Sequence, residues 1–459
     1  MNPVKNINRL LIANRGEIAA RIIRTCQKLG IESVLASSQA DLDSLPARLA
    51  DQVINIGPPP SLQSYLNVEA VIKAAVQVKA DAIHPGYGFL SENAALAKAS
   101  EKAGIIFIGP TIEQLDAIGD KLKARENALA ADLPLVPGGA VADAGEAEKL
   151  AAEIGYPVLI KAVGGGGGRG MQVVHDESTL AASMTLARAE AENAFNDERL
   201  YLECFVERGR HVEVQVLGDG DNIIHLGTRD CSIQRRYQKL VEEAPAPDLD
   251  PALREHMENA AVAFAKHLRY RGAGTVEFLV DTQRASFYFL EMNARIQVEH
   301  PVTEEITGLD LIAQQIRIAE GRPLGMSQEE VCFNGHAIEC RLNAEDCMNN
   351  FQPSPGTVSA AQFPAGPGIR IDSHIETGSV VPPYYDSLLG KLIVWGEDRA
   401  TAMSLLKKAL EHCQIDGIEN NIILHRAIMA SEEFTQGAVD SLFLNKLLET
   451  VSLEKTTNG

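Results

Sequence analysis

No apolar run in the 459-residue chain approaches the roughly 20 residues needed to span a bilayer. The N-terminal stretch MNPVKNINRLLIANRGE meets Arg15 and Glu17 before an apolar core of secretory length can form, so no signal peptide is expected. Paired cysteines are also missing. The seven, at 26, 204, 231, 332, 340, 347 and 413, are odd in number and scattered, with neither CxxC nor His/Cys spacing. That argues against a disulfide framework or a zinc site and fits a reducing cytoplasm. Basic charge is in deficit: the net charge of −20 argues against nucleic acid and anionic membrane as partners, since both need clustered Lys and Arg. The loop after the first strand pattern, ANRGE, is not GxGxxG, and no GK[ST] ending marks a Walker A loop.

The length predicts two or three domains. Residues 10–13, 32–36, 82–83 and 105–108 read as strands, and 18–29, 68–78 and 93–103 as helices. This βαβ series predicts a parallel sheet with helices on both faces. The loop His84-Pro-Gly-Tyr-Gly88 follows a strand end, where open α/β sheets place ligands. A second unit spans about 134–205: a helix at 144–154, strands at 158–163, 171–175 and 199–205, and a helix at 178–192. The remainder opens with hairpin patterns, 211–217 with 223–227 and 275–281 with 286–293, which predict antiparallel pairing. Strand candidates at 336–343 and 381–395 follow.

Chemistry concentrates in a few places. In EMNARIQVEHP, Glu291, Asn293, Arg295, Gln297 and Glu299 recur at every second position, a spacing that puts all of them on one face of an extended chain. A half-buried strand with a wet face would look the same, so other motifs must decide. Glu277, in TVEFLV, lies one short turn from Glu291. Paired strands would bring the two carboxylates to one hard cation, with Asn293 offering a neutral oxygen. The run Gly164–Gly168 between two strand patterns reads as a mobile flap whose backbone N–H groups can approach phosphate, with Lys161 just upstream. Arg235-Arg236-Tyr237-Gln238-Lys239 is a basic run in an acidic chain, either an anion site or a solvated loop. Arg341 is a further fixed charge, with a salt bridge to Glu339 as the plain alternative. His211 alternates with Glu213 and Gln215, while His84 and His300, each beside a proline, read as loop supports.

Together these residues resemble the biotin carboxylases, members of the ATP-grasp superfamily. The motifs are HPGYGFLSEN, KAVGGGGGRGM, RHVEVQVL, RDCSIQRRYQK, VEEAPAP, GAGTVEFL, EMNARIQVEHPVTE, ECRLNAED, PSPG and VPPYYDSLLGKL. The resemblance implies an ATP-grasp fold of mixed α/β and α+β class. Its parts are an N-terminal doubly wound domain (1–117), a helical connector (118–133), a mobile lid (134–205) and a C-terminal domain with a mixed or antiparallel sheet (206–459). It implies an ATP-dependent ligase that carboxylates biotin on N1′ using bicarbonate.

Carried over residue by residue, Lys121 and Lys161 hold ATP phosphates under the backbone of Gly167 and Gly168. Glu203, Cys204, Phe205 and Val206 line the adenine. His211 and Gln234 meet the ribose side, and Tyr237 stands near the nucleotide. Glu277, Glu291 and Asn293 bind Mg²⁺ (or Mn²⁺). Lys239, Arg295, Gln297, Val298 and Glu299 bind bicarbonate, Glu299 is the general base, and Arg341 and Tyr87 face biotin. Tyr237 replaces a usual His and Cys204 a usual Lys. Lys28 and Pro367 stand at the family's homodimer contact where an acid and an aromatic are typical. The chain has no AMKM-type sequence, so the expected partners are a separate biotin carboxyl carrier protein and carboxyltransferase subunits. The favoured setting is the first half-reaction of acetyl-CoA carboxylase in fatty acid synthesis. The alternatives are another acyl-CoA or pyruvate as acceptor, a different ATP-grasp ligase, or a catalytically silent nucleotide-binding paralogue.

Overall fold

The computed structural model describes residues 4–164, 171–195, 197–437 and 439–450. The expected parallel sheet is present. Strands β1 (Arg9–Ile12), β2 (Glu32–Ser38), β3 (Gln52–Gly57), β4 (Ala82–His84) and β5 (Ile106–Phe107) lie in the order β3-β2-β1-β4-β5, each pair parallel. Helix α1 (Gly16–Leu29) buries Ile18, Ile22, Ile23 and Cys26 and ends where Gly30 turns left-handed at φ 69°. Helices α2 (Val68–Gln77) and α3 (Ala94–Lys102) each start on an asparagine cap, Asn67 and Asn93, whose side chain accepts a backbone N–H. The sequence reading missed β3, in which Val53 and Ile54 are only partly covered and Ile56 alone is buried, so the pattern is weak.

Helix α4 (Lys121–Ala130), capped by Asp120, leads into a four-stranded antiparallel sheet. Its strands β6 (Gly138–Val141), β7 (Val158–Ala162), β8 (Met171–Val174) and β9 (Leu200–Cys204) take the order β6-β9-β7-β8, with α5 (Ala144–Ile154) and α6 (Glu177–Phe195) against it.

The largest element is an eight-stranded antiparallel sheet. Its strands are β10 (Gly209–Asp219), β11 (Ile223–Arg235), β12 (Gln238–Ala244), β13 (Arg271–Asp281), β14 (Ser286–Asn293), β15 (His336–Asn343), β16 (Ile369–Ser373) and β17 (Leu388–Gly396). The order is β14-β13-β10-β11-β12-β15-β17-β16. Two strand expectations are corrected here. β11 does not stop at Gly227: that glycine, at φ 82°, lies where the β10–β11 register slips, and pairing resumes beyond the irregularity. The 381–395 segment becomes a long strand only from Leu388, because Pro382 and Pro383 have no N–H to give a ladder. Helix α7 (Pro251–His267) covers one face of this sheet through Met257, Ala261 and Phe264, and α8 (His300–Thr307) starts just after the chemically dense loop. Among the described residues no helix is long and apolar enough to cross a membrane.

Candidate active site

Cross-strand register builds the site. Arg229 on β11 faces Glu213 on β10, Glu213 faces Glu277 on β13, and Glu277 faces Glu291 on β14. Directly opposite residues share a face, so three acids and one guanidinium form a row across four strands. Like charges in that position repel, and a cation from a neighbouring strand offsets them. Lys239, on β12, donates to Glu213 Oε2 at 2.6 Å, Glu299 Oε1 at 2.7 Å and Glu277 Oε1 at 3.0 Å. Arg229 is fully buried and donates to Glu213, Gln215, Thr275 and Thr303. The run 235–239 is therefore solvated only at its tip, where Arg236, Tyr237 and Gln238 are exposed. Arg236 and Tyr237, at φ 46° and 67°, form the tip of the β11–β12 hairpin, and the return strand carries Lys239 inward.

Burial alone would raise the Glu277 pKa, but Lys239 and His211 override it and hold the carboxyl well below its ordinary range. Glu299 behaves alike: burial opposes ionisation, and Lys239, Arg341 and Arg229 together outweigh it. Glu291 faces the cleft and stays open to solvent. Desolvation by the surrounding walls and then repulsion from Glu277 raise its pKa, with Lys121 opposing. A carboxylate pair in direct register, one member solvent-facing, suits a hard divalent cation. Among the described residues, two groupings of possible ligand atoms, His211–Glu213–Glu277 and Glu213–Cys231–Glu299, instead include the acids that the Lys239 ammonium already bridges.

The alternating motif does not run as one strand, which corrects the single-face reading. β14 ends at Asn293, residues 294–299 turn, and α8 begins at His300. The polar groups still converge, through hydrogen bonds rather than pleat. Arg295 donates to Asn293 Oδ1 at 2.8 Å, Gln297 Oε1 at 2.7 Å and Glu92 Oε2 at 3.0 Å. Asn293 and Gln297 each donate an amide N–H to Glu277 Oε1, at 2.8 and 3.1 Å. His300 supports the turn, its Nδ1 lying 2.7 Å from Gln297 O.

Arg341, on β15, does not pair with Glu339, the plain alternative to its reading as a fixed charge. It donates to Glu242 Oε1 at 2.6 Å from Nε and to Glu299 Oε2 at 2.9 Å from Nη2. Arg341, Lys239, Val298, Tyr87 and Glu17 line one cavity of about 340 Å³ with Tyr385 and Asp386. Asn14 fixes the Tyr87 loop by donating to Pro85 O and Tyr87 O, both at 2.7 Å. Gly86 permits this: at φ 62° its missing Cβ would lie 2.8 Å from Asn14 Nδ2. Tyr87 donates its hydroxyl to Glu17, and Glu17 is paired at 3.0 Å with the fully buried Lys391, which also donates to Val298 O at 2.9 Å.

On the lid side Lys161 is ion-paired with Glu203, and Arg125 Nη1 lies 3.9 Å from the other Glu203 oxygen. Burial lowers the Lys121 pKa, and neighbouring Lys161 adds to the fall. Cys204 N–H donates to Pro137 O and Phe205 N–H to Pro157 O, both amides being used within the lid. His211 Nδ1 lies 2.7 Å from Gln234 Nε2, and its Nε2 lies 2.8 Å from Glu277 Oε2. Tyr237 is 56% exposed at its hairpin tip. Gly167 and Gly168 lie outside the described residues. Glu92, Glu213, Glu242 and Lys391 were not singled out from sequence as site residues. Only Glu213 left a signal there, through its alternation with His211 and Gln215.

A parallel-sheet domain, a small antiparallel lid with a lysine on its inner strand, and paired carboxylates on a large sheet define an ATP-grasp enzyme. Comparison with known proteins narrows this. Residues 6–115 match "Biotin carboxylase, N-terminal domain", 120–327 match "Carbamoyl-phosphate synthase L chain, ATP binding domain", and 339–446 match "Biotin carboxylase C-terminal domain". A biotin carboxylase of Nostoc sp. is 52% identical over 96% of this chain and 99% of its own length. The biotin carboxylase of Campylobacter jejuni, solved as a β-γ-ATP complex, is 47% identical with a TM-score of 0.93, covering 96% of this chain and 99% of that one. The biotin carboxylase domain of the 2-oxoglutarate carboxylase of Hydrogenobacter thermophilus is 44% identical with a TM-score of 0.92, covering 98% and 100%. It was solved as a dimer with MgADP, ADP and bicarbonate. The chain belongs to the biotin carboxylase family, a group of ATP-dependent ligases.

Proposed function

We propose that this chain carboxylates biotin at N1′, using ATP and bicarbonate through carboxyphosphate, with the biotin carried on a separate protein. The observation that carries the reading is Glu299, fully buried and held between Lys239 at 2.7 Å and Arg341 at 2.9 Å. Of its two partners, Lys239 also bridges Glu213 and Glu277, and both Lys239 and Arg341 line the cavity with Tyr87.

A base held that low accepts protons poorly. When bicarbonate arrives, Lys239 and Arg295 turn toward the new anion, Glu299 loses part of its counter-charge, and its pKa climbs. Glu299 then takes the bicarbonate proton as the bicarbonate oxygen bonds to the γ-phosphorus and the bond to the ADP oxygen breaks. Lys121 and Lys161 neutralise charge on the phosphates, with the lid excluding water. Glu277, Glu291 and Asn293 would hold Mg²⁺, which when bound would supply further neutralisation. Carboxyphosphate separates into CO₂ and phosphate, the phosphate takes the N1′ proton, and N1′ bonds to CO₂. Arg341, always protonated, faces the ureido oxygen where negative charge collects. On the nucleotide side Glu203 and the Cys204–Val206 segment meet the adenine, and His211 and Gln234 meet the ribose.

The biological setting we favour is acetyl-CoA carboxylase in the cytoplasm, with a biotin carrier and a carboxyltransferase as partners and the chain as a homodimer. Lys28, exposed and 4.0 Å from Asp310, gives the dimer contact a different charge from the family's usual acid. The similarity to a 2-oxoglutarate carboxylase domain keeps other acceptors as the second reading. The deciding experiment measures ATP hydrolysis with bicarbonate, with and without free biotin. Stimulation by biotin is expected. Bicarbonate-dependent hydrolysis that biotin leaves unchanged overturns the biotin assignment, and hydrolysis without bicarbonate dependence overturns the ligase chemistry.

A further inference from the structure

Behind Arg341, three buried carboxylate oxygens have no hydrogen-bond partner among the described residues: both of Glu339 and Oε2 of Glu242. Glu242 on β12 and Glu339 on β15 are directly opposite in the antiparallel register. They share a face, with Cβ atoms about 4.5–5.5 Å apart, and like charges there repel. Neither side chain has any solvent contact, at 0% exposure each. The nearby cations are already committed. Lys391 is engaged by Glu17 and Val298 O, Lys239 by three carboxylates, and Arg341 is divided between Glu242 and Glu299. Acids outnumber cations in this interior, and a proton is the compensation left. A protonated carboxyl is a donor, so one shared proton would give each acid a partner.

We propose that Glu242 and Glu339 form a carboxyl pair that shares a proton, and that this pair is the positioning device for Arg341 against biotin. The idea rests on the reading above that Arg341 faces the biotin ring. Burial pushes the Glu242 pKa up to about 7, with Arg341 opposing and Glu299 adding to the rise. Burial likewise raises Glu339 well above the carboxylate range, with Lys391 opposing and Glu242 adding. The other groups facing the pair are Lys239 on its own strand, and Cys231 and Cys340, whose thiols burial holds neutral. Beyond them His300, on α8, is kept uncharged by burial and Lys391. Below about pH 7 the pair holds two protons and grips Arg341 weakly. Above it one proton remains, and the Glu242 carboxylate holds the guanidinium with full charge.

Two measurements test this. The first is the infrared difference spectrum between the wild-type protein and Glu339→Gln at pH 8, without substrate. A protonated-carboxyl stretch present in the wild type and absent in the variant is expected. No such difference overturns the shared proton, whatever the substrate proves to be. The second is the KM for free biotin between pH 6 and 8. In the wild type it should fall about three- to tenfold as pH rises through the Glu242 transition. In Glu242→Gln it should stay high and flat, and in Glu339→Gln the step should move to lower pH, because the amide donates to the Glu242 anion. A wild-type KM without a step, or a step that survives Glu242→Gln, overturns the positioning role.

Discussion

Replacing Lys239 with Met keeps most of the side-chain length and deletes the charge, and the structure says where the damage falls. The ammonium now bridges Glu213, Glu299 and Glu277 at 2.6, 2.7 and 3.0 Å. After the substitution Arg229 still holds Glu213 and Arg341 still holds Glu299. Glu277 keeps only the amides of Asn293 and Gln297 and the His211 ring. Breaking a buried pair by removing one partner costs about 3–5 kcal/mol. At roughly 2 °C per kcal/mol for a folding unit of a few hundred residues, Tm should fall by about 6–10 °C at pH 8. The sign with pH follows from the carboxylates. Burial pushes Glu277 and Glu299 up and Lys239 heads the charges that pull them down, so both titrate in the folded protein below their unfolded values. Their stabilisation is therefore present above the ordinary carboxylate range and fades as pH falls toward the folded values. Without Lys239 the folded values climb, and that stabilisation is lost near neutrality. At pH 5 a proton on one carboxyl replaces the missing ammonium, so wild type and variant should differ least there. Thermal melts at pH 5 and pH 8, with bicarbonate-dependent ATP hydrolysis beside them, give the answer. A Tm loss below about 2 °C, or one equal at the two pH values, refutes the tri-carboxylate bridge as a stabilising element.

Three further outcomes are expected. Glu299→Gln should lower biotin-stimulated turnover by about 10²–10⁴, while calorimetric binding of nucleotide stays near the wild-type value; turnover that survives removes Glu299 as the base. Glu291→Gln should raise the Mg²⁺ concentration for half-maximal activity by about tenfold or more, equivalent to losing ~1.4 kcal/mol of metal binding. In the wild type that concentration should rise as pH falls, because the raised Glu291 pKa puts protons in competition with the metal; a titration indifferent to both changes moves the metal elsewhere. Tyr237→His should lower the KM for ATP by about two- to fivefold, more at pH 6 than at pH 8, because only a protonated imidazole adds charge at the hairpin tip. An unchanged KM would show that the tip does not reach the nucleotide.

The parts of this molecule legible in the sequence are those written locally. The apolar stripe of Ile18, Ile22, Ile23 and Cys26, and the short turn between Glu277 and Glu291, specify a helix and a paired hairpin without help from distant residues. The alternation in EMNARIQVEHP misled beyond Asn293 because an every-second-residue pattern also fits a loop whose side chains are drawn inward by hydrogen bonds. Beside its local acceptors Asn293 and Gln297, Arg295 is anchored by Glu92, some two hundred residues away. Lys391 was unreadable for the same reason. It sits in an apolar strand, LLGKLIVW, and its partner Glu17 is almost at the other end of the chain. For Arg341 the sequence offered as an ion-pair alternative only the neighbour two positions away on its own strand, whereas its partners come from β12 and from the turn before α8. Strand periodicity tells which face a residue occupies, and only sheet order tells which residue occupies that face next door.

Sheet order also explains how one ammonium reaches acids on three separate segments of the chain. Lys239 lies on β12 and reaches Glu213 on β10 and Glu277 on β13, the strand that also faces Glu291. On its other side it holds Glu299, which Arg341 shares. Any ligand that withdraws Lys239 from this cluster changes the charge on the metal-side carboxylate and on the proposed base together. On the proposed reading, a divalent cation held by Glu277 and Glu291 would repel the ammonium toward Glu299 and the incoming anion, and bicarbonate would draw it the same way. The two substrates therefore favour one position of a single side chain, and by linkage each should tighten the binding of the other. Calorimetric titration of bicarbonate with and without the magnesium–nucleotide should show this as a lower Kd when the nucleotide is present. In Lys239→Met the difference should disappear, because the group both substrates move is gone.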